Sequence, residues 1–116
     1  MDEVIYKIMT RAELAEAKSR GLFDGSADDR RDGFIHLSSA DQLESTLAKH
    51  FSGQEHLVLL AVEATSLGGQ LRWEPSRDGA LFPHLYGPLD LTALLWEAPL
   101  ALGADGRHLI PQRVLP

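Results

Sequence analysis

Three short segments place functional side chains two residues apart in otherwise apolar surroundings. They are "GFIHLSSADQ" (33–42), "LRWEP" (71–75) and "FPHLYGP" (82–88). Side chains alternate across a strand. In the first segment His36 and Ser38 therefore share a face with Phe34, and Ile35 and Leu37 share the other. In the second, Arg72 and Glu74 lie opposite Trp73. In the third, His84 and Tyr86 lie opposite Leu85. Gln42 falls one turn into a helix that follows the first segment. The alternation predicts that His36, Ser38, Arg72, Glu74, His84 and Tyr86 converge on one pocket, with Trp73 and Leu85 turned to the core. The expected catalytic groups are His36, Glu74 and Tyr86, and the expected ligand-binding groups are Ser38, Gln42, Arg72 and His84.

Two chemistries fit such a set on residue type alone. One is a non-catalytic module that binds a nucleotide or another small anion. The other is a metal-assisted enzyme using His36, His84 and Glu74, a donor set suited to Zn or Fe(II). No H-E-x-x-H or other compact histidine spacing supports the metal, and none is expected. The chain has no G-x-G-x-x-G and no G-x-x-x-x-G-K-[ST], so it carries neither the dinucleotide fingerprint nor the P-loop phosphate cradle. Each segment alone also fits a structural role, since an exposed Arg72–Glu74 pair is worth little. His50, His56 and His108 lack comparable company and read as structural.

Composition narrows the setting. The 116 residues, 44% of them hydrophobic, suit a single domain over 1–116 with its own core. The absence of cysteine removes disulfides, iron–sulfur clusters and Cys-based zinc sites. It also suits a cytoplasmic location. The start, "MDEVIYKIMT", carries two acids and no long apolar region, so it does not read as a signal peptide, and no apolar run is long enough to span a bilayer. A net charge of -6 disfavours broad nucleic-acid binding but leaves room for a local anion site.

The elements that must position these residues follow from periodicity and caps. Residues 4–10 read as a strand. Thr10 and Glu13 make a capping box for a helix with Leu14 and Ala17 on one face and Gly21 at its end. The polar stretch 22–33 reads as a loop. After the short strand at 34–38, Ser39 caps a second helix with Leu43, Thr46, Leu47 and His50 along its inner stripe. Residues 55–64 form a near-continuous apolar run, expected as a central strand. A turn leads to a short strand at 71–75, a loop at 76–84, a strand at 91–100 between Pro88 and Pro99, and a last short strand at 107–111. The layout is α+β.

The order "IYKI", "GLF", "DGFIHLSSADQ", "LRWE", "FPHLYGPL" resembles the bacterial domain-of-unknown-function family 952, over nearly the whole chain. That family is similar in turn to the ADP-ribosyltransferase-like superfamily, with RNA 2′-phosphotransferase as its nearest echo. Gly21-Leu22, Arg30-Arg31 and Ile35-His36-Leu37-Ser38 stand at the corresponding places. The resemblance implies a mixed, mainly antiparallel split β-sheet with two N-terminal helices, and NAD as a substrate for ADP-ribosyl or phosphoryl transfer. It implies that His36 and Ser38 bind ribose, Arg72 binds pyrophosphate, Tyr86 stacks on nicotinamide, and Glu74, or alternatively Glu97, stabilises the developing oxocarbenium charge. Tyr6-Lys7-Ile8 departs from the His-Gly-Thr or His-Gly-Ser pattern of the first strand in those enzymes.

Overall fold

The computed structural model describes residues 3–76 and 79–114. The first strand, β1 (Val4–Thr10), is followed at once by α1 (Arg11–Arg20), because Thr10 closes a reciprocal capping box with Glu13. Leu14 and Ala17 bury the inner face of α1, and Gly21 ends it at φ 80°. β2 (Leu22–Phe23), α2 (Ala27–Asp32) and β3 (Ile35–His36) come next, then a 3-10 turn and α3 (Leu43–His50). β4 (Leu57–Glu63), β5 (Leu71–Pro75), β6 (Leu81–Leu85), β7 (Leu89–Asp90) and β8 (Leu94–Leu100) complete the strands.

The fold is α+β, and its strands pair antiparallel in three sheets ordered β1-β4-β8, β2-β7 and β3-β6-β5. β4 is the central strand that its apolar run predicts, with Leu57 to Val62 all buried. It is apolar on both faces because both are covered. Val58, Leu60 and Val62 pack with Leu14, Ile35, Leu37 and Leu85; Leu57, Leu59 and Ala61 pack with Leu43, Leu47 and Leu100. Among the described residues no helix is long and apolar enough to cross a membrane.

Five sequence expectations need correction. The stretch 22–33 is not a loop: it holds β2 and the six-residue helix α2, so three helices, not two, precede residue 51. α2 escapes a periodicity argument because it has no apolar stripe; its one buried residue is Asp29. What makes it a helix is a second capping box, Ser26 with Asp29, and a Gly33 C-cap at φ 86°. The expected loop at 76–84 ends early, since β6 begins at Leu81; positions 77 and 78 lie outside the described residues. The expected strand at 107–111 is reduced to one bridge, Leu102 to His108. Trp73 is on the same face as Leu85 but 37% exposed, because β5 is an edge strand and the core has run out at that end of the sheet. The inner stripe of α3 also divides: Leu43 and Leu47 are buried, whereas His50 is exposed.

Leu85 is 1% exposed and packs in the first core cluster. Leu85→Ala is expected to cost about 2–5 kcal/mol in urea unfolding. Trp73→Ala should cost clearly less; equal losses would contradict the edge-strand account.

Candidate functional site

β3 is only two residues long, yet its place is fixed from both sides. Ser38 exchanges backbone hydrogen bonds with Tyr6 on β1, donating at 2.9 Å and accepting at 2.8 Å, and Leu37 N donates to Pro83 O on β6. Ile35 and Leu37 go to the core at 2% exposure each, so His36 and Ser38 turn the other way. The antiparallel register sets His36 directly opposite His84, with ring centroids 5.8 Å apart. Phe34 stacks on His84 at 4.0 Å and lies 4.7 Å from His36. Both histidines line a cleft of about 480 Å³ walled by β1, α2, the middle and end of α3, and β6.

One wall rests on a buried ion pair. Lys7 Nζ lies 2.9 and 3.2 Å from the two carboxylate oxygens of Asp29, and donates a third bond to His36 O. Both side chains are almost fully buried. Asp29 also accepts from Ser26 N, His36 N and His36 Nδ1, the last at 2.6 Å. Burial alone would push the Asp29 carboxyl up. The His36 bond, the Lys7 ammonium and the Ser26 amide outweigh it and hold the group well below the usual carboxylate range. Gly25, at φ 114°, allows the approach: a Cβ there would sit 2.9 Å from Asp29 Cβ. The far nitrogen of the same imidazole, Nε2, lies 2.9 Å from Asp32 Oδ2. A carboxylate only accepts, so both contacts are hydrogen bonds at once only when both ring nitrogens carry a proton.

The other wall is arranged differently. His84 is buried, and its Nδ1 lies 2.8 Å from Glu74 Oε1 on the neighbouring strand β5. Tyr86 donates to the same oxygen at 2.7 Å, and the Arg72 guanidinium lies over the Tyr86 ring, 5.5 Å from its centroid. The bonds from Tyr86 and His84 lower the Glu74 carboxyl, and Glu74 in turn raises the Tyr86 phenol. With Nδ1–H donated to a carboxylate, the neutral His84 ring presents Nε2 as a lone pair. That nitrogen has no hydrogen-bond partner among the described residues. Ser38 Oγ and Thr46 Oγ1, 3.2 Å apart, add hydroxyls to the cleft.

The family model described as "Protein of unknown function (DUF952)" matches residues 8–97. The chain belongs to this family. It is also similar to protein CC0527 from Caulobacter crescentus. In the crystal structure of CC0527 the identity is 54% over 96% of this chain and 97% of that one, with a TM-score of 0.92. In its solution NMR structure the identity is 58% over 90% of each chain, with a TM-score of 0.81. No curated protein matches.

The DUF952 match spans the groups of both walls except Tyr6 and Lys7 on β1. Of the sequence-predicted residues, His36, Ser38 and His84 line the cleft. Glu74 is joined to it through His84, and Tyr86 and Arg72 stand behind Glu74 rather than on the cleft wall. Gln42 also lies off the wall: its side chain donates to Leu81 O and accepts from Ser39 N. Glu97 is on β8, paired with Lys18 at 2.7 Å. Among the described residues no three His, Asp or Glu side chains are grouped to hold a metal ion. Sequence reasoning missed Lys7, Asp29 and Asp32. A lysine inside an otherwise apolar strand, and the S-x-x-D spacing of Ser26 and Asp29, were the available signals.

Removing one member of a buried ion pair strands the other. Asp29→Asn is therefore expected to destabilise the protein by about 3–5 kcal/mol in urea unfolding. A carboxyl held low in the folded state contributes stability that is fully present above the ordinary carboxylate value near pH 4 and is lost as pH falls below it. Unfolding at pH 7 and pH 3 should show a larger acid loss in the native protein than in Asp29→Asn; equal losses would remove Asp29 as the source.

Proposed function

We propose that the cleft is an acid–base site acting on a nucleotide-class substrate and cleaving or transferring a phosphoester. The observation that carries this reading is the unlike pair of histidines facing each other on paired strands: His84, whose Nε2 meets no hydrogen-bond partner among the described residues, and His36, with carboxylates at both nitrogens. His84 Nε2 takes the proton from the attacking hydroxyl or water as the new P–O bond forms. The bond to the leaving oxygen breaks, and His36 Nε2–H gives that oxygen its proton. Glu74 and Asp29 hold the two rings in the tautomers and orientations these roles need.

A second reading, NAD-dependent ADP-ribosyl transfer, is favoured by His36 and Ser38 standing together at the cleft, as the resemblance to the transferases implies. Here His36 and Ser38 would hold the ribose. This reading needs a carboxylate beside the oxocarbenium carbon, and Glu74 Oε1 is already engaged by His84 and Tyr86. A third reading keeps the ligand and drops the reaction.

Incubation with a panel of dinucleotides and cyclic nucleotides, and separately with NAD, distinguishes the three. We expect phosphoester cleavage, reduced about 10²–10⁴-fold in His84→Gln, with no nicotinamide released. Nicotinamide release without phosphoester turnover would favour the second reading. Binding without turnover of either would leave only the third.

A further inference from the structure

The two carboxylates on the His36 ring are held very unequally. Asp29 is 2% exposed and fixed by Lys7, by two backbone amides and by His36 Nδ1. It cannot leave without stranding a buried ammonium. Asp32 is the last residue of α2, and its side chain is 33% exposed. Its other partner is Arg31, itself 67% exposed and shared with Asp28. Ion pairs in that setting are screened and worth little. The Nε2 of His36 thus lies 2.9 Å from an anionic oxygen that is easily displaced.

We propose that Asp32 is a resident stand-in for the ligand's own oxyanion. A phosphate-type oxygen replaces the Asp32 carboxylate on His36 Nε2, and Arg31, released from Asp32, turns to the same oxyanion as a planar donor fork. This reconciles the site with its charge. With Asp32 in place the described lining sets Asp28, Asp29 and Asp32 against Lys7, Arg31 and a His36 ring that donates from both nitrogens, so no net positive charge is left to draw an anion. With Asp32 turned outward, the charged groups left facing the ligand among the described residues are the His36 N–H, Arg31 with its partner Asp28, and the already neutralised Lys7–Asp29 pair. The carboxylate keeps the imidazole partnered while the cleft is empty and raises the threshold for binding, so that only a strong oxyanion displaces it. Assigning that oxyanion to the substrate's phosphoryl group rests on the acid–base reading above.

The test is titration of the full chain with inorganic phosphate at pH 7, followed through the ring NMR signals of His36 and His84. Asp32→Asn and Asp32→Ala are expected to bind phosphate about five- to tenfold more tightly than the native protein, the loss of a weak competing ion pair. Adding Arg31→Gln to either should remove the gain. Thermal unfolding checks that each variant is folded. Unchanged or weaker phosphate binding in both Asp32 variants overturns the proposal, as does absence of phosphate binding in all of them. Failure of both variants to fold overturns it too, because an exchangeable carboxylate is dispensable for folding. Phosphoester turnover with no Asp32 effect on phosphate affinity would sink this inference and spare the acid–base reading. Tighter phosphate binding without turnover of any ester would do the reverse.

Discussion

A lysine ammonium and an aspartate carboxylate buried together, Lys7 with Asp29, are the constraint on which the cleft depends. Desolvating two ions costs several kcal/mol each, and their attraction repays this only when the remaining hydrogen-bonding capacity is also used. Here it is. Asp29 takes bonds from Lys7, from the amides of Ser26 and His36, and from the His36 ring, while Lys7 also reaches the His36 carbonyl. These partners come from β1, from the cap of α2 and from β3. The pair therefore holds three elements in one geometry, and two of them are too short to be fixed by their own backbone bonds. A hydrophobic pair of the same volume would supply cohesion there but no acceptor for the imidazole.

The second wall uses the same device at lower cost. Glu74 is on an edge strand and about one third exposed, so its charge is only partly desolvated, and its bond to His84 crosses the β5–β6 ladder without a buried cation beside it among the described residues. Both histidines thus have their Nδ1 on a carboxylate, but their outer nitrogens differ. Asp32 meets one, and no described residue meets the other. A cleft whose two imidazoles differ in this way is matched to a reaction in which one group gains a proton as the other loses one. Phe34 packs against both imidazoles and against Tyr86, and the apolar part of the cleft lining comes from Ile8, Leu37, Phe51 and Phe82.

The sequence by itself determined the parts that rest on local rules. The Thr10–Glu13 capping box placed α1, the unbroken apolar run placed β4, and period-two alternation put Ile35, Leu37 and Leu85 inward and His36 and His84 outward. Those rules depend only on neighbours in the chain, so they survive without knowledge of the fold. Only the tertiary structure decided which outward residues share a cleft. Alternation fixes the face of Trp73 but not how far the core extends along an edge strand, so Trp73 stayed exposed. It gives Arg72 and Tyr86 the same face as Glu74 but not the depth that sets them behind it. Above all, Lys7, Asp29 and Asp32 look in sequence like a stray lysine in a strand and two acids in a polar loop. Their meeting is a pairing across 22 residues, made worthwhile only by the shared loss of water when β1, α2 and β3 close on one another.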